Sequence, residues 1–415
     1  MSTQNLPFPR VSLSRIMQVS GVAAETLDAI RETFLAPQKQ KISPTLSTGK
    51  LAELCGINPD QVLYRVSRDD PTSLLPKGSV ARGNNRRSFT VQEAALWSRA
   101  YRPEKVRPEG CRAITVAVGN FKGGVSKTTT TMTLAQGLAL RGHRVLAIDL
   151  DPQGSLTTLF GLSPEANSLD GDDTLLPLFS GEQDSARYAV RKTYWSGIDM
   201  IPANPQLYNA EFVLPARQMK ERSTGMLFYK VLDMGLEDLR DDYDVILIDT
   251  SPSLSYTVMN AYMAADGMIV PMPPNTLDFA SSVQFWSLFS DLAHDIAQRG
   301  GRREFDFVHV LLAKVKARDD NAATVTGWIN KAYSEFVLPV EIPEEKAAGT
   351  TSLQFGTVFD VTTWEGTRPS YNRARDAANR VVDLVESSVV KAWANQKAER
   401  AMLGATETEP VGGKA

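Results

Sequence analysis

The chain is 415 residues long, 42% hydrophobic and 22% charged. That is an ordinary globular balance, which excludes wholesale disorder and collagen-like repeats and allows two or three domains. Its two cysteines, Cys55 and Cys111, cannot build a disulfide framework or a Cys-rich zinc site. No apolar run approaches the roughly 18 residues of a membrane helix, and the first ten residues lack the apolar core of a signal peptide. The expectation is a cytoplasmic protein. The net charge of −3 hides an asymmetry, with 17 Lys and Arg against 10 Asp and Glu up to Arg112, and 28 against 38 beyond it. A basic first quarter on an acidic body points to a polyanion meeting the N-terminal region, a chance cluster on a solvated face being the alternative.

In chain order, residues 1–44 hold a helical pattern at Glu25–Leu35 (Leu27, Ile30, Phe34 and Leu35) and are assigned as a dimerisation element. A Pro/Lys/Gln stretch, Pro37–Lys41, breaks the pattern. Residues 45–110 are assigned as a DNA-binding domain. Leu51, Leu54 and Cys55 give one helix face, Gly56-Ile57-Asn58 a turn, and Asp60–Val66 a second helix entered through Asn58-Pro59. The segment PKGSVARGNNRRSFT follows, with turn-forming Gly78, Gly83 and Asn84-Asn85, and then a helix over Val91–Tyr101. Helix-turn-helix, basic β-wing and helix together resemble winged-helix DNA-binding domains. The resemblance makes Arg65, Arg68, Arg82, Arg86 and Arg87 candidate DNA contacts. Trp97 and Tyr101, one helical turn apart, read as core packing. Val106–Cys111 reads as a linker.

Residues 111–397 read as one α/β domain. Apolar strands (AITVAVG, RVLAIDLD, IDMIPA, YDVILIDTSP, GMIVPM, FDFVHVLLAKV, VLPVEIP) alternate with helices such as Thr128–Leu140 and Asp278–Gln298. A closing helix is read over Val381–Gln396. The pattern predicts a mostly parallel β-sheet covered by helices on both faces. Residues 398–415, small and polar, are expected to be a disordered tail.

The segment GNFKGGVSKTTTT, Gly119–Thr131, follows a strand and opens a helix, which is what a triphosphate needs. Gly123 and Gly124 let backbone N–H groups approach phosphate, and the helix N-terminus adds its positive end. Lys127 can place a point charge on the β/γ oxygens and the Thr128 hydroxyl can ligate Mg²⁺. The standard G-x-x-x-x-G-K-[ST] pattern is nevertheless broken. Phe121 and Ser126 occupy its glycine positions, and an extra lysine, Lys122, stands at the front.

KGGVSKT resembles the deviant Walker A motif of the ParA/MinD ATPases, a P-loop NTPase group. LAIDLDPQGSLT resembles that group's switch I, and VILIDTSPSL its Walker B and switch II. The resemblance implies an ATP- and Mg²⁺-dependent ATPase in which Gly123, Gly124, Val125, Ser126, Lys127, Thr128 and Thr129 hold the nucleotide. It also implies that Lys122 reaches the partner subunit's ATP across a dimer, that Asp151 positions the attacking water, and that Asp249 holds Mg²⁺ through water. Ile342-Pro343-Glu344 resembles the strand end whose proline, here Pro343, packs near the base. Lys314 stands where some members carry a base-contacting Asn.

The other branches of this class fit badly. An iron–sulfur reductase needs bridging cysteines inside the ATPase domain, a MinD-type regulator a basic amphipathic C-terminal helix, an arsenite-pump ATPase a second P-loop, and a bacterial tyrosine kinase a C-terminal tyrosine cluster. What remains resembles the larger ParA-type partition ATPases. Such a protein would be a homodimer, with higher assemblies on DNA, and would be associated with the nucleoid. It would bind operator DNA through its N-terminal domain and nonspecific DNA as the ATP-bound dimer, and a ParB-type centromere-binding protein would stimulate its hydrolysis. Arg368, Arg373 and Arg375 are the candidate nonspecific contacts, pairing with neighbours such as Asp376 being the alternative. A nucleotide-sensing transcription repressor with little turnover is the alternative function.

Overall fold

The computed structural model describes residues 12–30, 41–68, 74–80, 86–162, 169–221, 227–298, 304–316, 319–344, 356–360 and 368–407. It divides into two compact units, Met1–Ile42 and Ser43–Ala415. The first holds helix α1 (Leu13–Ile30), whose first turn is capped by Ser12 Oγ accepting from the Arg15 amide. The predicted helix at Glu25–Leu35 overlaps only its end, and residues 31–35 lie outside the described residues.

The second unit opens with β1 (Leu46–Ser47), α2 (Thr48–Cys55) and α3 (Pro59–Ser67). The helix boundaries follow from local chemistry. Ser47 caps α2, Gly56 ends it at φ 66°, and Asn58 with Gln61 forms a capping box on α3 behind Pro59. Strands β2 (Ser79–Val80) and β3 (Arg87–Phe89) join β1 in an antiparallel sheet of order β1-β3-β2. Helix α4 (Val91–Tyr101) starts at a Thr90/Glu93 capping box. Trp97 is wholly buried on it, donating from Nε1 to Pro76 O at 2.9 Å and stacking on Tyr101 at 5.6 Å.

An eight-stranded sheet follows, built from β4 (Ile114–Val118), β5 (Val145–Asp149), β6 (Arg191–Lys192), β7 (Ile198–Ile201), β8 (Val245–Asp249), β9 (Gly267–Met272), β10 (Phe307–Val315) and β11 (Val337–Pro343). Its order is β11-β10-β9-β4-β8-β5-β7-β6. Every pairing is parallel except β6 with β7. Strands β4, β5, β8 and β9 are buried throughout, as strands covered on both faces must be. Ile114, Val116 and Val118 pack into one core with α5 (Lys127–Leu140) and the C-terminal helix. Ala117 points to the other face, with α10 (Tyr256–Ala264), α11 (Thr276–Gln298) and α12 (Asp320–Tyr333). Four shorter helices, α6 (Ser155–Leu159), α7 (Leu176–Ser180), α8 (Ala210–Lys220) and α9 (Val231–Gly235), lie between β5 and β8.

Three expectations need correction. The C-terminal helix α13 runs Arg368–Glu407, well beyond Val381–Gln396 and into the expected tail. QKAERAMLGATE is rich in Ala, Glu, Lys and Arg, strong helix formers. Residues 408–415 lie outside the described residues. Val106–Cys111 is also no free linker, because Arg107 Nε lies 3.2 Å from Asp244 Oδ1 and its guanidinium donates to the carbonyls of Arg240 and Asp241. Finally, the region of α2–α4 with its small sheet and the region of the eight-stranded sheet share one core, in which Leu51, Val62 and Trp97 belong to the same cluster as Val116, Leu134 and Trp393. The seam is sealed by Glu386 of α13, whose carboxylate accepts from Arg102 and, at 2.8 Å, from His143 Nε2. The expected boundary between residues 110 and 111 is therefore not a structural division.

Candidate functional site

The site sits at the carboxyl ends of the central strands, where parallel α/β sheets place ligands. Val118, the last residue of β4, pairs with Asp249, and Asp249 in turn pairs with Asp149 at the end of β5. The phosphate loop leaves β4 directly onto this edge. Gly124 at φ 76° and Ser126 at φ 77° both take the left-handed conformation ahead of α5, a backbone geometry found in loops that cradle anions with N–H groups. Ser126 does this at a position where the standard loop has glycine, so the strain is specific to this variant loop.

Lys127 is buried at the first position of α5. Its Nζ donates to Lys122 O at 2.9 Å, closing the loop on itself. Burial lowers its pKa, and the nearby Asp249 and Asp151 charges partly restore it. Asp249 is fully buried; burial first, and the Asp149 charge second, push its carboxyl well above the usual range. Thr131 Oγ1 donates to its Oδ1 at 3.3 Å, and Oδ2 has no hydrogen-bond partner. A buried carboxylate oxygen left open beside a threonine hydroxyl suits a hydrated cation. Among the described residues no three His, Cys, Asp or Glu side chains gather to hold a metal by themselves.

Asp149 is the structural partner of the pair. Its Oδ2 accepts from Thr157 N and Oγ1 at 2.9 and 2.8 Å, and its Oδ1 from Asp151 N at 3.1 Å. Burial raises its pKa to about 6 against those bonds. They pin the loop so that Asp151, half-buried, stands at its mouth. Thr128 is half-buried and Thr129 exposed. Val125 is buried. Pro343 ends β11 opposite Val315 on β10. One residue earlier, Lys314 sits at φ 54° and its Nζ donates to Gly124 O at 2.6 Å. Lys127, Asp151, Asp249 and the loop thus come together at one edge, and β10 ties the Pro343 strand to it.

Two residues escaped the sequence reading. Asp278, buried at the start of α11, lies 3.9 Å from Lys122 Nζ. Glu211 on α8 accepts from the amides of Tyr256 and Thr257 at 2.8 and 3.1 Å, fixing the start of α10 just after Asp249. Both contacts join segments far apart in sequence, so no local signal announces them.

The arginines divide. Arg65 and Arg68 are exposed at the end of α3, with Arg68 stacked over Tyr64 at 4.4 Å. Arg82 lies outside the described residues, and Arg86 is exposed beside the wing. Arg87 is half-buried, its guanidinium donating to Lys77 O across the wing, so it braces the hairpin. Arg368 and Arg373 are exposed on α13. Arg375 is turned the other way, toward Glu53 on α2 at 3.4 Å, which removes it from the expected basic stripe.

A strained phosphate loop closed by a buried lysine, on a parallel sheet with an Asp at the end of the adjacent strand, defines a P-loop nucleotide-binding protein of the deviant Walker type. A family profile described as an AAA domain matches residues 113–298. The chain is 32% identical to a replication protein A of Rhizobium rhizogenes over 92% of this chain and 96% of that one. It is 30% identical to protein SopA of Escherichia coli strain K12, covering 78% and 83%. A solved structure described as a partition protein superposes with a TM-score of 0.60 at 20% identity, over 90% of this chain and 99% of that one. The chain belongs to the ParA-type partition ATPase family.

Proposed function

We propose that this chain is an ATP-driven DNA partition protein that hydrolyses ATP as a dimer. The observation that carries the reading is the convergence of Lys127, Asp249 and Asp151 on one strained loop at the sheet's carboxyl edge. Lys127 and the loop amides from Gly123 to Thr129 would hold the phosphates. Asp151 would position the water that attacks the γ-phosphoryl group, releasing ADP. Lys122 would act on the ATP of the partner chain. Thr128 directly and Asp249 through water would hold Mg²⁺, which supplies charge neutralisation to the phosphates. Support comes from the family, from the open Oδ2 of Asp249, and from a structural neighbour, Cyanothece McdA, solved as an ATP complex with a TM-score of 0.54.

The capped helix pair α2–α3 with its wing would bind operator DNA for autorepression, through Arg65, Arg68 and Arg86. The ATP-bound dimer would hold nonspecific DNA through Arg368 and Arg373, and a ParB-type partner would accelerate hydrolysis. Among the described residues no helix is long and apolar enough to cross a membrane. The deciding experiment is ATPase activity of the full chain with and without DNA and the cognate ParB-type protein. Stimulated turnover that Lys127→Ala abolishes is the expected result; ATP binding with no turnover under any condition leaves the nucleotide-sensing repressor.

A further inference from the structure

The lysine that distinguishes this loop is already engaged within its own chain. Lys122 Nζ lies 3.9 Å from Asp278 Oδ1, with the Lys122 side chain 42% exposed and that of Asp278 only 9%. The carboxylate is firmly placed. Asn275 Oδ1 accepts from the Asp278 amide at 2.9 Å and Asn275 Nδ2 donates to Asp278 Oδ2. Asp278 also occupies the first turn of α11, where the helix dipole favours a negative charge. The Lys122 main chain is equally fixed, its amide donating to Asn120 Oδ1 at 3.0 Å and its carbonyl accepting from Lys127. Asn120 is in turn anchored to Pro271 O at 2.9 Å. Only the Lys122 side chain is left to move.

We infer that Asp278 is a docking point that holds the Lys122 ammonium in the unpaired chain, and that hydrolysis requires the ammonium to exchange Asp278 for the phosphates of the partner chain's ATP. The inference rests on the proposed action of Lys122 across the dimer and adds its regulation. At 3.9 Å the contact is an ion pair, well outside ordinary hydrogen-bond length. A triphosphate carries several negative charges against one on the carboxylate, so it wins once it comes within reach. Until then the docked lysine lowers the fraction of chains competent to pair, and the apparent affinity falls by that fraction. Asp278 is in this sense a positioning residue acting through Lys122.

The test uses the full chain and ATP, without DNA or a ParB-type protein. Asp278→Asn keeps the amide contacts with Asn275 and removes the charge. It should raise basal hydrolysis about two- to fivefold and move ATP-dependent dimerisation to lower protein concentration by a similar factor, as loss of a partly exposed ion pair predicts. Asp278→Ser serves as the second neutral variant should the first fold poorly, and Asp278→Glu should stay near wild type. In a Lys122→Gln background Asp278→Asn should add nothing, whereas a general loosening of α11 would act in both backgrounds. Neutral Asp278 variants at or below the wild-type rate, while Lys122→Gln is inactive, would overturn the docking role alone. Wild-type hydrolysis by Lys122→Gln would instead remove the trans-acting lysine on which the inference rests.

Discussion

Glu386 should be the most sensitive single residue at the seam between the α2–α4 region and the eight-stranded sheet region. Its carboxylate is 1% exposed, facing Arg102 at 17% and His143 at 3%. Arg102 Nη1 already lacks a hydrogen-bond partner, so Glu386→Ala would leave a nearly buried guanidinium with no compensating charge. Breaking one partner of such a buried pair costs about 3–5 kcal/mol. If the unit Ser43–Ala415 unfolds as one, the usual entropy per residue gives it roughly 0.8 kcal/mol/K near 60 °C, so the melting temperature should fall by about 4–6 °C. Glu386→Gln, which keeps an acceptor for Arg102, should lose less, about 1–3 kcal/mol. The pH dependence provides a second check. Burial pushes the Glu386 carboxyl up, but the hydrogen bonds and charges of His143 and Arg102 outweigh it and leave it below the usual range. An unfolded Glu titrates near ~4.3, so the contribution is complete above that pH and is lost as pH falls through the lower folded value. The gap between wild type and Glu386→Gln in thermal melts should therefore close below about pH 4. A Glu386→Ala protein melting within about 1 °C of wild type, or a gap that persists in acid, would refute the seam as described.

Gly137→Ala should destabilise the chain by about 1–3 kcal/mol, because the added Cβ would sit 2.4 Å from Val382 Cγ2 where α5 packs on α13; chemical denaturation reads this directly. Lys127→Ala should lose ATP binding, whereas Asp151→Ala should bind ATP, dimerise and remain on nonspecific DNA without turnover, which filter binding and phosphate release separate. Arg65→Ala and Arg68→Ala should each weaken operator binding by about 1–3 kcal/mol if they touch bases, with ATPase activity kept, as a gel-shift titration would show. Arg368→Ala with Arg373→Ala should reduce the salt slope of nonspecific DNA binding by up to about two units, and Arg375→Ala should leave it unchanged because that side chain faces Glu53.

The fold was legible where a single local rule decides it. Apolar runs such as VILID and ITVAV can only be strands covered on both faces, and they are. Asn58-Pro59 and Gly56 carry start and stop signals that depend on no distant residue. The reading failed where composition stood in for contacts. Residues 106–111 look like a connector because of Pro108 and the nearby Pro103, yet Arg107 makes an ion pair with Asp244. No property of the connector itself distinguishes an arginine that is solvated from one that is locked into a seam. The basic cluster at the start of α13 divides for the same reason. Helical rotation carries Arg375 to the face that meets α2, leaving Arg368 and Arg373 outside.

At the nucleotide edge, the motif order named the chemistry, but not the restraints on it. Lys314 shows the difference. In sequence it stands at a position tied to base recognition in some relatives of this chain. In the fold it takes a left-handed conformation at an irregular stretch of the β10–β11 pairing and places its ammonium on the Gly124 carbonyl. A carbonyl turned toward Lys314 cannot face an anion, so the contact helps leave the loop's N–H groups as the phosphate-facing surface. Lys122 and Lys127 follow the same logic, one ammonium held by Asp278 and the other by Lys122 O. Three cations therefore surround the loop, each engaged by an oxygen of this chain. In the proposed reading nucleotide entry would replace the contact of Lys127 and the dimer that of Lys122, while the Lys314 contact could persist, because the Gly124 carbonyl and the N–H that follows it point to opposite sides of one trans peptide.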